Sequence, residues 1–562
     1  MTTGRGQRLR FFLGLLPPLV VAAALRGFRL APQILIGDEL HAVSAALRRP
    51  IGQILRQWTY QGADYCVPLT AFFRFLMDRG VALSEWWLRA PSLAAGLLTV
   101  VVIPWALAPR IGRRAAWLLA WLLAVSPLLV LYSRIVRSYA PMVLLAGCAL
   151  IAFDRWWRTR SRRAGLAFVA SGAAAAYFHL GALPLVLAPF LYAGGASALR
   201  GSRRLRAEGP RLALLLGALA FVVAALLFPA RESLVELARL HDRGHFPPPA
   251  AWAPIALLEL GTTHWSIALV LLAALARGAA VLVHRDGAFA AYLGVTAVGQ
   301  VVGLAILSPN FLEVPSVASR YLLALLPFAL AVAAVGLAEP WRPQPSRRDD
   351  LGHAIAVAGL LLVAVATGPL ARPELRTSSF VHSGPGLFFT RAPDRIAPED
   401  VPAFYRGLAE GGRDAGMVLE YPWLNLASHA FRLYQDVHRQ PVKVAIASAE
   451  LLDERVALRN IVSPTPAALL ASGARYLVLH LDLRKEEARV TSADPYHALL
   501  LAELPGFWNA LHNNALRTSS RLREAWGAPT YEDDQLRVWD LEAVSPPRVP
   551  RGGQGPTEGD LL

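Results

Sequence analysis

Leu131-Tyr132-Ser133-Arg134-Ile135-Val136-Arg137-Ser138-Tyr139 lies where two apolar runs meet, near 115–132 and 138–153, and sets two guanidinium groups between stretches suited to hydrocarbon. A spanning helix needs roughly 20 mostly apolar residues to cross about 30 Å. Working outward, further runs of that kind fall near 11–30, 92–108, 164–178, 180–196, 211–229, 263–283, 288–307, 321–338 and 351–370. The expectation is a polytopic α-helical membrane protein with about eleven spans. Composition agrees: of 562 residues, 55% are hydrophobic and 17% charged, and the mean hydropathy is +0.40. Over the first two thirds this excludes an ordinary water-soluble protein. Residues 164–196 read either as two short helices with a tight turn at His179 or as one long helix and a re-entrant piece.

Lysine and arginine choose the cytoplasmic side of a membrane protein. Basic clusters occur at Arg5–Arg10, Arg110–Arg114, Arg155–Arg163, Arg200–Arg206 and Trp341–Arg348. Placing them all inside is self-consistent when 164–196 crosses out and back. Three segments then face outside: about 31–91, about 230–262, and everything after about 370. The surplus of 56 basic over 40 acidic side chains therefore reads as cytoplasmic loops and contact with anionic membrane lipid, not as nucleic-acid binding. Cys66 and Cys148 are the two cysteines, too few for a disulfide framework.

The first run could be a cleaved signal, but no small-residue cleavage site precedes Arg26–Arg29, so a retained anchor is expected. After about 370 charge returns and apolar runs shorten. Met417–Tyr421, Val442–Ile446, Arg475–Leu479 and Gln535–Trp539 read as strands. Pro398–Glu410, Pro464–Ser472 and Tyr496–Leu504 read as helices, the last stopped by Pro505-Gly506. A small extracytoplasmic α/β domain at 371–544 and a disordered Pro- and Gly-rich tail at 545–562 follow. No repeat, GxGxxG or GxxxxGK[ST] is present, which argues against a nucleotide-driven pump.

Asp38-Glu39 follows the first run directly. Two carboxylates at a bilayer rim are costly unless hydrated, paired or used. They can act as a general base or hold a cation, or simply begin a helix. On a helix Arg134 and Arg137 would share a face and could grip one diphosphate or phosphodiester; alternatively they pair with Asp38, Glu39 or Asp64 in a structural network. Arg320-Tyr321 opens a later span on the same side, and His179 lies at an external turn. His241-Asp242-Arg243-Gly244-His245 is a weaker polar cluster. Carboxylates at one wall and arginines at another suit transfer from an anionic lipid to a nucleophile arriving from water.

The order Gly37-Asp38-Glu39, Pro68-Leu69, Leu88–Gly96, Ser126-Pro127, Tyr132-Ser133-Arg134, Arg137-Ser138-Tyr139, His179 and Arg320-Tyr321-Leu322 resembles the GT-C superfamily of polytopic glycosyltransferases. Within it, the chain resembles the group that contains bacterial aminoarabinose-to-lipid-A transferases and protein O-mannosyltransferases. The resemblance covers about residues 10–340. It implies a GT-C-type membrane domain over 1–370, working on a polyprenyl-phosphate sugar donor and an extracytoplasmic glycan, lipid or protein acceptor at the bacterial inner membrane. Asp38 takes the catalytic, acceptor-activating place with Glu39 beside it, and Arg134, Arg137 and Arg320 take the donor phosphate. Tyr132, Tyr139, His179 and Tyr321 support them. Asp64 stands in Asp64-Tyr65-Cys66-Val67-Pro68, where many relatives carry histidine or asparagine before Pro-Pro, and is a candidate metal or acceptor contact; a divalent cation is the candidate cofactor. Amphipathic helices are expected at Ala42–Thr59 and Leu83–Leu88, with Trp58, Trp86 and Trp87 as interface anchors. The rival reading is a transporter or flippase of lipid-linked sugar, which should show internal repeats.

Overall fold

The computed structural model describes residues 10–28, 30, 39–60, 63–64, 66–81, 85–235, 265–307, 320–339, 347–366, 398–411, 416–421, 429–440, 442–444, 466–470, 473–490 and 505–544. The chain forms two compact units, Met1–Ala392 and Pro393–Leu562. The proposed tail at 545–562 and most of the segment 230–262, with His241 and His245, lie outside the described residues.

The first unit is helical. Its elements are α1 (Leu16–Gly27), α2 (Glu39–Arg48), α3 (Val67–Asp78), α4 (Glu85–Ile111), α5 (Arg113–Val125), α6 (Pro127–Tyr132), α7 (Tyr139–Thr159), α8 (Arg162–Phe178), α9 (Leu183–Leu199), α10 (Ser202–Leu227), α11 (Trp265–Leu307), α12 (Leu326–Ala338) and α13 (Arg347–Ala366). Among the described residues seven helices are long and apolar enough to cross a membrane. The other apolar runs take different forms, the run at 351–370 giving the shorter apolar helix Ala354–Ala366. The run at 115–132 is two helices, because Pro127 keeps Ser126 out of the α region, at ψ 118°. The run at 164–178 is the 17-residue α8. The runs at 263–283 and 288–307 are one element, broken at Asp286 (φ −154°, ψ 69°).

Ion pairs collect at one end of this unit. Arg110 at the end of α4 meets Asp154 of α7 at 3.2 Å and Asp286 at 2.6 Å, and Arg285 meets Glu339 at 2.6 Å. Helix α11 and helix α12 approach backbone to backbone: a Cβ on Gly278 would lie 1.8 Å from the Val332 carbonyl oxygen. Between α11 and α12 an apolar cavity of about 790 Å³ extends from Val283 and Gly287 to Leu322.

Between α1 and α4, α2 and α3 pack on Leu88 and Val136 through Ala42, Val43, Ala46, Leu69 and Phe73. The expected second amphipathic helix at Leu83–Leu88 belongs, from Glu85, to α4. Trp86 and Trp87 are exposed, whereas Trp58 is buried against Tyr177, so Trp58 is a packing residue and not an interface anchor.

The second unit is α/β. Helices α14 (Ala403–Glu410), α15 (His429–His438), α16 (Pro466–Leu470), α17 (Leu483–Val490) and α18 (Pro505–Trp526) accompany strands β3 (Val418–Tyr421), β4 (Val442–Val444), β5 (Tyr476–His480), β6 (Tyr531–Glu532) and β7 (Leu536–Asp540); β1 (Thr59–Tyr60) and β2 (Ala63–Asp64) form a separate hairpin in the first unit. The five-stranded order is β4-β3-β5-β7-β6. Strands β3, β4 and β5 are parallel, and β7 is antiparallel to β5 and β6. Val418, Tyr405, Phe431 and Val478 fill one face, and Leu419, Leu477, Leu522 and Trp539 the other.

Candidate functional site

Arg26 lies inside the apolar α1 with 1% exposure. A cation in such a place needs acceptors, and the break at Ser126 supplies them: Arg26 Nη1 and Nη2 donate to the Ala124 and Leu123 carbonyls at 2.9 and 3.0 Å, and Nε donates to Ser133 Oγ at 3.2 Å. These are the orphaned carbonyls at the end of α5. Arg134 returns the arrangement. Its Nη1 donates to the Arg26 and Phe28 carbonyls at 2.8 and 2.7 Å, at the end of α1. The chain can bend closely here because Gly96 leaves room: a Cβ there would meet Ser133 Oγ at 2.0 Å.

Residues 133–138 form this bend and no helix. Arg134 and Arg137 therefore do not share a helical face as their spacing suggests. Glu39 fixes the bend from the other side. Its carboxylate takes Nε and Nη2 of Arg89, each at 3.3 Å, and the Val136 amide at 2.9 Å. Arg89 also donates to the Leu30 carbonyl at 2.8 Å. Both side chains are fully buried. Both Glu39 oxygens are engaged, and among the described residues it forms an ion pair with Arg89. Asp38, its sequence neighbour, lies outside the described residues. Asp64 is placed in β2, paired with Thr59.

Beyond the bend the remaining site residues converge. Tyr139 is the first residue of α7, whose N-cap Ser138 makes no side-chain cap. The Arg137 and Arg320 guanidinium carbons each lie 5.9 Å from the Tyr139 ring centre, at the outer reach of cation–π attraction. Tyr132 meets Tyr139 edge-on at 4.9 Å. His179 lies 5.1 Å from Tyr139 and 5.2 Å from Tyr321. Phe178 ends α8, and the His179 backbone is extended; its Nδ1 accepts from the Gly181 amide at 3.0 Å, so the ring sits at the tight turn. Two cations thus lie beside one tyrosine ring at the positive end of a helix dipole, which is favourable for an anion.

Gln300, from α11, ties two parts of this cluster together. Its Nε2 donates to the carbonyls of Gly181 at 2.9 Å and Tyr321 at 3.2 Å. Sequence reasoning missed Arg26, Arg89 and Gln300. For Arg26 and Gln300 the signal was a polar group inside an apolar run; Arg89 stands in the Leu88–Gly96 motif, but its pairing with Glu39, 50 positions away, has no local signal. Among the described residues no three His, Cys, Asp or Glu side chains converge as a metal site.

No protein-family model matches the chain, and no curated protein matches it. Among solved structures, ArnT from Cupriavidus metallidurans in the apo state superposes with TM-score 0.54 at 14% identity, covering 93% of this chain and 97% of ArnT. The same protein bound to undecaprenyl phosphate gives 0.53 at 14% identity, covering 87% and 94%. The chain has the GT-C fold. The GT-C fold is that of a multi-pass membrane protein, in keeping with the seven apolar helices. In it the bend after α6, the start of α7, the turn at His179 and the residues Arg320-Tyr321 ahead of α12 lie around the Tyr139 ring.

Proposed function

We propose that this chain transfers a sugar from a polyprenyl-phosphate-linked donor to an extracytoplasmic acceptor. The observation that carries the reading is the convergence of Arg137 and Arg320 on Tyr139 at the N-terminus of α7, within a fold shared with a protein that binds undecaprenyl phosphate. Arg137 and Arg320 hold the donor phosphate, and Tyr132, Tyr139, His179 and Tyr321 form its walls. The donor's isoprenoid chain lies in the apolar cavity between α11 and α12, which reaches Leu322 beside Tyr321. Asp38 accepts the proton of the acceptor nucleophile as that nucleophile attacks the sugar's anomeric carbon. The bond from that carbon to the phosphate oxygen breaks, and the arginines stabilise the departing lipid phosphate. Glu39 and Arg134 act by positioning: the first holds Val136 and Arg89, and the second holds the end of α1. Asp64 is an acceptor contact. The site end faces the exterior of a bacterial inner membrane, and the acceptor is lipid A, a surface or cell-wall polysaccharide, or a protein.

The test uses purified protein in lipid with a labelled panel of polyprenyl-phosphate sugars and an extracted envelope fraction. Label entering one acceptor class, and lost in Asp38→Asn, supports the transferase. No transfer from any donor, together with labelled lipid crossing sealed vesicles, would replace it with a flippase.

A further inference from the structure

At the end of the first unit remote from Tyr139, two connections are unusually cationic. From Arg155 to Arg163 five of nine residues are arginine, and from Arg200 to Arg206 four of seven, with no acidic residue in either stretch. They turn α7 into α8 and α9 into α10. The 21 residues of α7 separate this end from the Tyr139 cluster by about 30 Å at 1.5 Å per residue, the thickness of a hydrocarbon core.

The two connections are fixed to each other. Arg160 meets Glu208 at 2.8 Å, and its guanidinium lies 4.2 Å from the Trp157 ring centre. It holds a left-handed backbone, φ 55°, which a residue with a Cβ disfavours. The nearby acids are already engaged: Asp154 by Arg110 and Arg158, and Glu208 by Arg160 and Arg211. Arg155, Arg162, Arg163, Arg203, Arg204 and Arg206 are exposed and have no acidic partner among the described residues.

Their position is electrostatically adverse. Arg162-Arg163 and Arg203-Arg204 occupy the first turns of α8 and α10, where neither helix has an acidic residue or a side-chain cap. The positive end of a helix dipole repels cations, and the uncapped amides there also seek an anion. Four exposed arginines at two helix N-termini, linked through the Arg160–Glu208 pair, therefore call for bound negative charge. A free phosphate would meet that need but would leave the apolar surface beside it uncovered. Leu199, next to Arg200, is 92% exposed, and Leu166, one turn beyond Arg163, is 71% exposed.

We propose that these two connections form a binding site for an anionic phospholipid, its headgroup phosphates on the four arginines and its acyl chains on Leu166 and Leu199. Guanidinium forks match phosphate oxygens in two-point geometry, and a headgroup with two phosphates can span both helix ends.

The full-length protein, purified in neutral detergent, is offered equal amounts of cardiolipin and phosphatidylcholine and weighed by native mass spectrometry. Cardiolipin adducts should dominate and survive excess inorganic phosphate. Arg162→Gln/Arg163→Gln/Arg203→Gln/Arg204→Gln should lower them at least tenfold, given about fivefold per basic residue at an anionic surface. The two double variants, each at one connection, should give intermediate losses and report if the fourfold variant does not fold. Equal adducts of the two lipids, displacement by inorganic phosphate, or adducts unchanged in the variants would overturn the site.

Discussion

Glu39 offers a sharp distinction between chemistry and support. Replacing it with glutamine keeps the shape of the side chain but removes the charge opposite Arg89, which is fully buried. Breaking one side of a buried ion pair costs about 3–5 kcal/mol, because the other charge is left uncompensated. At roughly 2 °C per kcal/mol for a large unit, Glu39→Gln should melt about 6–10 °C lower. The Val136 amide keeps a weaker acceptor, so the bend carrying Arg137 loosens and transfer falls together with stability. Arg89→Met added to Glu39→Gln removes the stranded cation, and most of the lost stability should return, with part of the activity. The assay is thermal unfolding of the purified protein beside the transfer reaction, for both single variants and the double. A Glu39→Gln protein that melts like the wild type yet turns over nothing, with no rescue by Arg89→Met, would refute the positioning role and make Glu39 a catalytic residue.

Arg26→Met should orphan the Leu123 and Ala124 carbonyls, at about 1–3 kcal/mol each; a melting temperature equal to the wild type would contradict the capping role. Gly278→Ala should force α11 from α12 and cost about 1–3 kcal/mol, whereas Gly294→Ala, with nothing within 4 Å of its added carbon, should be silent in the same unfolding measurement. In the second unit, burial disfavours a charged His480, but Glu486 and Glu420 at 2.9 and 2.8 Å outweigh it and raise its pKa to about 10. A pKa raised on folding gives stability that is complete below the unfolded value near 6.5 and is lost as pH climbs through about 10. Hydrogen exchange in residues 476–490 of the full chain should therefore, once corrected for intrinsic rate, accelerate between pH 7 and 10.5; flat protection would remove the charged bridge.

The apolar runs made the helical unit legible, since hydrocarbon length is a property of sequence alone. Its interruptions were harder to read. Ser126-Pro127 lies within what reads as one span, and only Pro127's effect on its predecessor splits it. Pro505-Gly506 begins α18, because proline's missing amide and fixed φ suit a first turn, and the helix expected at Tyr496–Leu504 lies outside the described residues. Strands β3, β4, β5 and β7 were visible as short apolar runs, while the two-residue β6 is too short to show a period. In the site, Arg137, Arg320, Tyr132, Tyr139, His179 and Tyr321 were all named from sequence and do converge. The separate contacts of Arg134 and Glu39 were not legible, because they depend on the ends of α1 and α4 reaching the same bend.

The central claim is that Arg137 and Arg320 hold a lipid phosphate at the start of α7. Its most direct test is equilibrium binding of labelled undecaprenyl phosphate to the purified protein and to Arg137→Gln and Arg320→Gln, each checked for unchanged melting. Charge-assisted hydrogen bonds contribute about 1.5–3 kcal/mol each, so each variant should bind roughly 10- to 100-fold more weakly. Binding at wild-type strength in both folded variants would contradict the account.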